Sequence, residues 1–230
     1  MDTKKLQHIA IIPDGNRRWA KEKGLLAVEG HKYASDHVLP KLYDVAKAYD
    51  IRYCTFWALS PENFVKRSSF EIHNLMLILH HFLKDKVKEL NEKNIKMNVI
   101  GDIQKLSPRI QKEISEALDA TKENDGMILT FAINYGGRDE IIRAVTRWAA
   151  QKGSASLTKD SFTSYLDTSD IPDPDLIIRT GGEKRTSGFM LWQSEYTEYT
   201  FLDTYFPDFT PDALKSCIEE YKERQRRYGK

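Results

Sequence analysis

The sequence contains few cysteines and no long apolar run. Cys54 and Cys217 are the two cysteines among 230 residues, and they match neither a metal-ligand spacing nor a disulfide framework. No apolar stretch is long enough to cross a bilayer, and the polar residues through Gln7 do not form a secretory signal. These absences predict a protein of a reducing compartment, which we expect to be cytoplasmic.

The chain also has almost no net charge. Its 35 lysines and arginines nearly balance 34 aspartates and glutamates, so bulk charge predicts no nucleic-acid partner and any basic site has to be local. A Walker-type Gly-Lys-Ser/Thr sequence and a GxGxxG fingerprint are both missing, which argues against nucleotide sites of those kinds. Without an internal repeat or a Gly/Pro/Ser-rich linker, residues 1–230 are expected to form a single domain.

Short apolar segments alternate with helical patterns along the chain. Strands are predicted at residues 8–12, 51–59, 95–100, 127–133, 176–179 and 189–192, and helices at 35–49, 68–91, 107–123, 138–151 and about 211–227. Strands that are apolar on both faces and alternate with helices indicate an α/β fold with a largely parallel central sheet flanked by helices. In such sheets, ligands bind beyond the carboxyl ends of the strands.

Polar clusters follow several of these predicted strands, at residues 14–18, 60–63, 134–138 and 179–183. In the first cluster, Asp14 stands between a strand and the start of a helix, where backbone N–H groups and the side chains of Arg17 and Arg18 favour an anion. An acid beside an anion is repulsive unless a cation lies between them, and Mg²⁺ with a phosphate ligand is the simplest mediator. An ordinary Asp-Gly turn is the alternative interpretation.

A second anion-binding pattern surrounds the paired glycines after the fifth predicted strand. Arg179, Arg185 and Ser187 supply donors suited to phosphate oxygens, and the alternative is a turn with solvated arginines. The apolar face of the predicted helix 68–91 is either core or one wall of an elongated pocket, with Met76 and Phe82 as lining. Two anion sites beside an apolar pocket suit a substrate with a diphosphate head and a hydrocarbon body.

These segments resemble the cis-prenyltransferase family, the undecaprenyl diphosphate synthase-like isoprenyl transferases. The matching residues are 8–20, 30–31, 60–64, 134–138, 175–187, 191–193, 198, 206–208 and 227–229, in the order of the family. The resemblance implies an α/β fold with an apolar tunnel, a homodimer or a heteromer, and Mg²⁺-dependent addition of isopentenyl diphosphate to an allylic diphosphate. The product would be a Z-prenyl or polyprenyl diphosphate, and a long, insoluble product implies loose membrane association.

The resemblance also implies individual roles. Asp14 and Asn63 are the implied catalytic residues, with Asp14 assisting departure of the allylic diphosphate, and Asp14 and Glu198 are the implied metal ligands. The resemblance makes Asn63 the proton acceptor, but a neutral amide is a poor base, so we expect Asn63 to orient the reacting groups and a diphosphate oxygen to accept the proton. Arg67 and Glu71 would belong to a mobile segment that closes the site. The implied substrate-binding residues are Gly15, Asn16, Arg17, Arg18, Trp19, His31, Ser60, Pro61, Glu62, Phe64, Arg67, Arg179, Arg185, Thr186 and Ser187.

Departures from the family pattern leave alternatives open. Ala27 stands where an arginine is frequent, so one phosphate contact is missing unless Lys23 compensates for it. The pattern does not set product length, for which Ala58 and the region of Met76 and Phe82 are the positions to compare. The alternative functions are a short-chain or irregular, head-to-middle prenyl diphosphate synthase and a non-catalytic partner subunit of a heteromeric enzyme.

Overall fold

A six-stranded parallel sheet forms the centre of the computed structural model, which describes residues 5–152 and 156–224. Its strand order is β3-β4-β2-β1-β5-β6, and every neighbouring pair is parallel. This architecture confirms the predicted α/β fold. The strands are β1 (His8–Ile12), β2 (Tyr53–Trp57), β3 (Lys96–Ile100), β4 (Ile128–Ala132), β5 (Leu176–Arg179) and β6 (Glu198–Phe201).

Helices make most of the connections between the strands. Several of them begin at a serine or threonine whose side-chain oxygen accepts a backbone N–H three residues later, as at Ser60, Ser68 and Thr210. The helices are α1 (Asn16–Glu22), α2 (Ala27–Tyr33), α3 (Leu39–Ala48), α4 (Pro61–Lys66), α5 (Ser69–Glu92), α6 (Pro108–Thr121), α7 (Gly137–Lys152), α8 (Lys159–Thr163) and α9 (Pro211–Glu223).

Alternate residues of β1 enter two different cores, as expected for a strand buried on both faces. Ile9 and Ile11 join the larger core, together with buried residues of α3, α5, α6 and α9. Ala10 and Ile12 join the smaller core, which also contains Phe189. Because β1 lies between β2 and β5, the loop after Ile12 emerges in the interior of the carboxyl edge and not at its margin.

The predicted strand at residues 189–192 is wrong. This segment forms turns, because Ser187, Gly188 and Met190 have backbone φ angles of 52°, 85° and 47°, in the left-handed region that an extended strand does not use. The sixth strand is instead Glu198–Phe201, which pairs with β5. Phe189 and Met190 are apolar because they are buried in the smaller core, and not because they form a strand.

Several predicted boundaries also shift. The helix predicted at 35–49 consists of one π-helical turn (Ala34–Val38) followed by α3. The helical structure also starts earlier than predicted, because α2 begins at Ala27 and leads into this turn. The last helix ends at Glu223, and residues 225–227 of its predicted range, like the matching segment 227–229, lie outside the described residues. Within the described ranges, no helix is long and apolar enough to cross a membrane.

His8 is fully buried in β1 and is held in its neutral form. Its Nδ1 lies 2.7 Å from the Pro172 carbonyl oxygen and its Nε2 lies 2.8 Å from the Thr55 hydroxyl. A neutral ring satisfies both contacts by donating from Nδ1 and accepting at Nε2. Burial lowers the pKa of His8 from 6.5 to about 4, although the Pro172 carbonyl and the Asp175 charge oppose the shift.

Because the folded protein resists protonation of His8, its stability is expected to fall as the pH decreases from 6.5 to about 4. In this range the unfolded chain binds a proton that the folded chain excludes, and the difference in pKa corresponds to about 3 kcal/mol. Chemical denaturation of wild-type and His8→Gln proteins across this pH range measures the effect. The variant should lose less of its free energy of unfolding, and equal losses in both proteins would contradict this role of His8.

Candidate functional site

A cleft of about 1090 Å³ lies beyond the carboxyl ends of β1, β2 and β5. Residues that follow these three strands line it, which confirms their predicted convergence. The fourth predicted cluster, 134–138, instead contributes to a separate cavity of about 290 Å³. The predicted site residues that line the cleft are Asp14, Gly15, Asn16, Arg17, Arg18, His31, Ser60, Glu62, Asn63, Arg67, Arg179, Arg185 and Ser187.

The Asp14 carboxylate lies between two arginines. Its Oδ2 accepts a hydrogen bond of 2.8 Å from Arg179, and its Oδ1 lies 3.2 Å from Arg18 Nη2 and 2.6 Å from the Gly15 backbone nitrogen. Partial burial would raise the pKa of Asp14, but the hydrogen bonds from Arg179 and Gly15 and the arginine charges outweigh it, so the pKa lies below its usual value. Asp14 is therefore ionised at neutral pH.

The loops after β1 and β5 are tied together around this carboxylate. The Asp14 N–H donates to the Thr180 hydroxyl oxygen at 3.0 Å, and the Thr180 hydroxyl donates to the Asp14 carbonyl at 2.8 Å. At Gly181, where φ is 87°, a Cβ atom would lie 2.7 Å from Arg18 Nη2, so the turn favours glycine there. The two predicted anion-binding patterns are thus parts of one site.

Arg179 organises the β5 side of the cleft. It is the last residue of β5 and is 5% exposed, and its Nη1 donates to the Arg185 carbonyl at 2.6 Å and to the Ser187 hydroxyl at 2.9 Å. The exposed Arg185 guanidinium forms an ion pair with Glu183. Arg179 is therefore held by the protein itself, whereas Arg185 can exchange its partner for a ligand.

A second group of cations comes from α1 and from the chain around the start of α5. Arg67 Nη1 lies 3.5 Å from His31 Nε2, and Arg17 Nε lies 3.4 Å from Glu71. Burial, with the charges of Arg67 and Arg17, lowers the pKa of His31 to about 3, so its ring is neutral at neutral pH. Burial and Arg17 also lower the pKa of Arg67. Cations that disfavour one another in this way favour an anion between them.

The end of β2 leads directly into α4 and positions two polar side chains. Ser60 Oγ accepts the Asn63 N–H at 3.1 Å, and Pro61 occupies the start of the helix. Because this cap sets the direction of the first helical turn, Glu62 and Asn63 both border the cleft.

An apolar cavity of about 140 Å³ adjoins the cleft. The cavity is closed in part by Phe82 and Phe131, whose rings meet edge to face with centroids 4.8 Å apart. Leu75, Met76 and Phe82 of α5 line it, so the apolar face of this helix is both core and pocket wall. The residues that line both the cleft and the cavity are Pro13, Asn16, His31, Ala58 and Leu59.

Four predicted binding residues lie outside the cleft lining. Trp19 is buried, and its Nε1 donates to Asp208 at 2.8 Å. Pro61 borders the neighbouring cavity, Phe64 packs against the larger core, and the Thr186 carbonyl accepts a backbone N–H within its own turn. In the structure these residues support the surroundings of the cleft.

Within one chain, Glu198 does not approach Asp14. Glu198 begins β6 and pairs with Leu176 at the start of β5, whereas Asp14 follows the carboxyl end of β1. Its Oε2 lies 3.2 Å from Arg224 Nη1. Because the sixth strand runs through Glu198 and not through 189–192, this carboxylate lies towards the opposite edge of the sheet.

Sequence reasoning missed Lys21, which lines the cleft. Lys21 follows Arg17 by one helical turn on α1, and this spacing on a helix face could have identified it. The predicted substitute cation, Lys23, is used elsewhere, since its Nζ lies 5.0 Å from the centroid of the Trp19 ring. The sequence pattern leaves open whether Lys66 or Arg67 carries the charge of its segment, and in the structure both line the cleft.

The chain matches the prenyltransferase family model, described as undecaprenyl diphosphate synthase, over residues 12–229. It is 42% identical over 228 residues to the (2E,6E)-farnesyl-diphosphate-specific ditrans,polycis-undecaprenyl-diphosphate synthase of Micrococcus luteus, covering 97% of this chain and 91% of that one. It is also 42% identical over 228 residues to an isoprenyl transferase of Clostridium tetani, covering 97% and 89%.

Two solved structures share the fold along nearly the whole chain. Lavandulyl diphosphate synthase from Lavandula x intermedia, crystallised with dimethylallyl diphosphate, has a TM-score of 0.93 at 36% identity, covering 98% of this chain and 99% of that one. A probable undecaprenyl diphosphate synthase from Campylobacter jejuni has a TM-score of 0.83 at 32% identity, covering 99% and 100%. Together with the family match over residues 12–229, these likenesses show that the chain belongs to the undecaprenyl diphosphate synthase family of cis-prenyltransferases, enzymes that condense isopentenyl diphosphate with an allylic diphosphate.

Proposed function

We propose that this chain couples isopentenyl diphosphate to an allylic diphosphate, with both diphosphates in the cleft and the hydrocarbon tail in the apolar cavity. The observation that carries the proposal is the junction of the two spaces. Ionised Asp14 and several arginines border the polar space, whereas aromatic and aliphatic side chains line the other, and five residues border both. An amphiphilic ligand with a diphosphate head satisfies both surfaces at once.

The allylic diphosphate is assigned to the side of the cleft formed by α1 and α2. Arg17, Arg18 and Arg67 can supply charged donors there, and neutral His31 can donate one ring N–H. Donors that are already positioned stabilise the charge that develops on a departing diphosphate. This side therefore has the groups needed to help the leaving group depart, with Asp14 adjacent to Arg18.

Isopentenyl diphosphate is assigned to the β5 side. The Arg185 guanidinium can exchange Glu183 for a diphosphate oxygen, and the Ser187 hydroxyl, which Arg179 orients, can donate to another. Since Arg179 also holds Asp14 at 2.8 Å, the two diphosphate positions share one fixed reference point. The proposed arrangement thus sets the spacing between the two substrates.

Mg²⁺, the cofactor of the family, fits the donors of this cleft. Among the described residues there is no group of three or more His, Cys, Asp and Glu side chains that could enclose a metal. Mg²⁺ commonly takes one or two carboxylates and completes its coordination with substrate phosphates and water, so the Asp14 carboxylate suffices as the protein ligand. When bound, the ion would neutralise charge on the diphosphate.

Coupling breaks the allylic carbon–oxygen bond and joins the allylic carbon to the isopentenyl double bond, after which the isopentenyl unit loses one proton. The neutral amide of Asn63 is a poor base, so we assign it an orienting role and assign the proton to a diphosphate oxygen. The hydrogen bond from the Asn63 backbone N–H to Ser60 Oγ supports this role because it fixes the backbone from which the side chain extends at the border of the cleft.

The protein is expected to extend allylic primers. Purified protein is incubated with Mg²⁺, labelled isopentenyl diphosphate and allylic diphosphates of increasing length. The products are separated by chromatography, and their masses are determined by mass spectrometry. Extended prenyl diphosphates are expected because the cleft accepts two diphosphates. Folded protein that extends none of the primers would contradict the proposal and favour the non-catalytic partner subunit.

Irregular coupling of two allylic units is a second candidate, favoured by the TM-score of 0.93 to lavandulyl diphosphate synthase. Incubation with dimethylallyl diphosphate alone separates the two functions. A product in the absence of isopentenyl diphosphate identifies irregular coupling, whereas strict dependence on isopentenyl diphosphate identifies regular extension.

Asp14→Asn is expected to lower kcat at least about a hundredfold. The amide keeps the shape of the side chain but loses the negative charge that pairs with Arg18 and Arg179 and that would bind Mg²⁺. Steady-state rates measure the loss, and a circular dichroism melt verifies the fold. Glu22→Gln is the matched control, since Glu22 lies on α1 but accepts its hydrogen bond from Tyr205 at 2.7 Å. Near-normal turnover by Asp14→Asn would refute the role of Asp14.

Ala58→Leu is expected to shorten the products. Ala58 borders both the cavity of about 140 Å³ and the cleft, so a larger side chain at this junction removes space for the growing tail. Chromatography of the products measures the change, and Ala120→Leu on the exposed side of α6 is the control. An unchanged product distribution for Ala58→Leu would mean that the tail lies elsewhere.

We also propose a homodimer. Ile142 and Val145 lie on one face of α7 and are 67% and 37% exposed, and Leu191, also exposed, approaches the start of the same helix at Gly137. An apolar surface of this kind favours association. Sedimentation equilibrium is expected to give twice the chain mass of 26.7 kDa, and Ile142→Asp is expected to give the monomer. A monomeric wild-type protein would contradict the proposal.

A further inference from the structure

The wall of the cleft formed by α2 supplies no full positive charge. Ala27 begins α2 and borders the cleft with a methyl group. His31, one turn later, is neutral at neutral pH because burial and two nearby arginines hold its pKa at about 3. Arg67 lies 3.5 Å from His31 Nε2, so the part of this wall at Ala27 is the part for which no cation has yet been named.

Lys21 is placed to provide that cation. The rim from α1 to α2 borders the cleft at Lys21, Leu25, Leu26 and Ala27. The residues that follow Lys21 have other contacts, because Glu22 accepts a hydrogen bond from Tyr205 and Lys23 lies over the Trp19 ring. Lys21 also follows Arg17 by four residues on α1, so both side chains lie on one face of the helix.

Lys21 differs from Arg17, Arg18 and Arg179 in its availability. Arg18 and Arg179 are engaged with Asp14, and Arg17 is engaged with Glu71. Among the ion pairs formed by residues 5–152 and 156–224, none involves Lys21, whose side chain is exposed. A ligand therefore gains this charge without displacing a carboxylate.

Lys66 is the other cleft lysine without an ion pair in the same ranges, but it belongs to α4. Lys21 alone of the two shares the rim with Ala27. The two lysines are therefore not equivalent, and the position of Lys21 matches the side assigned to the allylic diphosphate.

We propose that Lys21 is a binding residue for the allylic diphosphate and supplies the charge that position 27 lacks. The inference rests on the proposed function and deepens it by naming a residue that determines affinity for one of the two substrates. Its ammonium group is a compact donor on a flexible stem, so it can reach the bound diphosphate and contribute equally before and during the reaction.

Lys21→Ala is expected to raise the KM for the allylic diphosphate about tenfold, the effect of losing one charged hydrogen bond at an exposed position. The KM for isopentenyl diphosphate and the kcat should change less than about threefold, since the β5 side is untouched. Lys21→Arg should retain the wild-type KM. Lys23→Ala is the matched control, because it removes the same charge two residues away, where the side chain contacts Trp19.

A substitution at position 27 provides a second test of the role of Lys21. In Lys21→Ala/Ala27→Arg, a guanidinium enters the cleft from the neighbouring point on the rim, and the KM for the allylic diphosphate is expected to return towards the wild-type value. Titration calorimetry with inorganic pyrophosphate measures binding in the same variants without turnover, and Lys21→Ala should bind it several-fold more weakly than Lys23→Ala.

The outcomes separate this inference from the proposed function. If wild-type protein is active but Lys21→Ala keeps its KM and its affinity for pyrophosphate, Lys21 does not bind the diphosphate. If Lys21→Ala and Lys23→Ala weaken pyrophosphate binding equally, the effect comes from the net charge of the protein and not from the position of Lys21. This result would also overturn the inference. If wild-type protein extends no primer, the proposed function fails, and the calorimetric comparison still decides whether Lys21 binds a diphosphate.

Discussion

The hydrogen bond between Arg179 and Asp14 is the contact on which the site depends. Arg179 ends β5 and is almost fully buried, so an unpaired guanidinium there would be costly. Asp14 neutralises it and is in turn kept ionised, with its second oxygen directed at Arg18. Because β1 and β5 are neighbours in the sheet, this contact, together with the hydrogen bonds between Asp14 and Thr180, joins the two loops that carry the anion-binding residues.

The site also depends on placing strong charge beside apolar surface. His31 and Asn16 border both the cleft and the cavity, and the His31 ring is neutral there because burial and neighbouring arginines disfavour its charged form. A neutral ring lies at the boundary with less desolvation cost than a cation would. The arginines stay on the polar side, while α5 turns its apolar face to the cavity. This division gives an amphiphilic substrate one favourable orientation.

Local patterns predicted much of the fold and part of the site. Buried strands and amphipathic helices have periods of 2 and 3.6 residues, so five of six strands and the long helices could be predicted. The strand predicted at 189–192 was wrong because an apolar segment in turns has the same composition as a buried strand. The left-handed backbone conformation of Met190 cannot be recognised from its residue type. The contact of Trp19 with Asp208 could not be predicted either, since Asp208 lies far along the chain.

The sequence by itself determined the parallel α/β fold, the family and the cluster of Asp14 with Arg17 and Arg18. These follow from periodicity and from residues that are close in the chain. Only the tertiary structure decided which distant groups meet. Strand register brings Arg179 to Asp14 and takes Glu198 towards the opposite edge of the sheet. The orientation of α1 about its own axis places Lys21 at the cleft, whereas Lys23, directly after the helix, lies over the Trp19 ring. Composition does not encode such positions, because a shift of one residue along a strand or of two along a helix moves a side chain to another face.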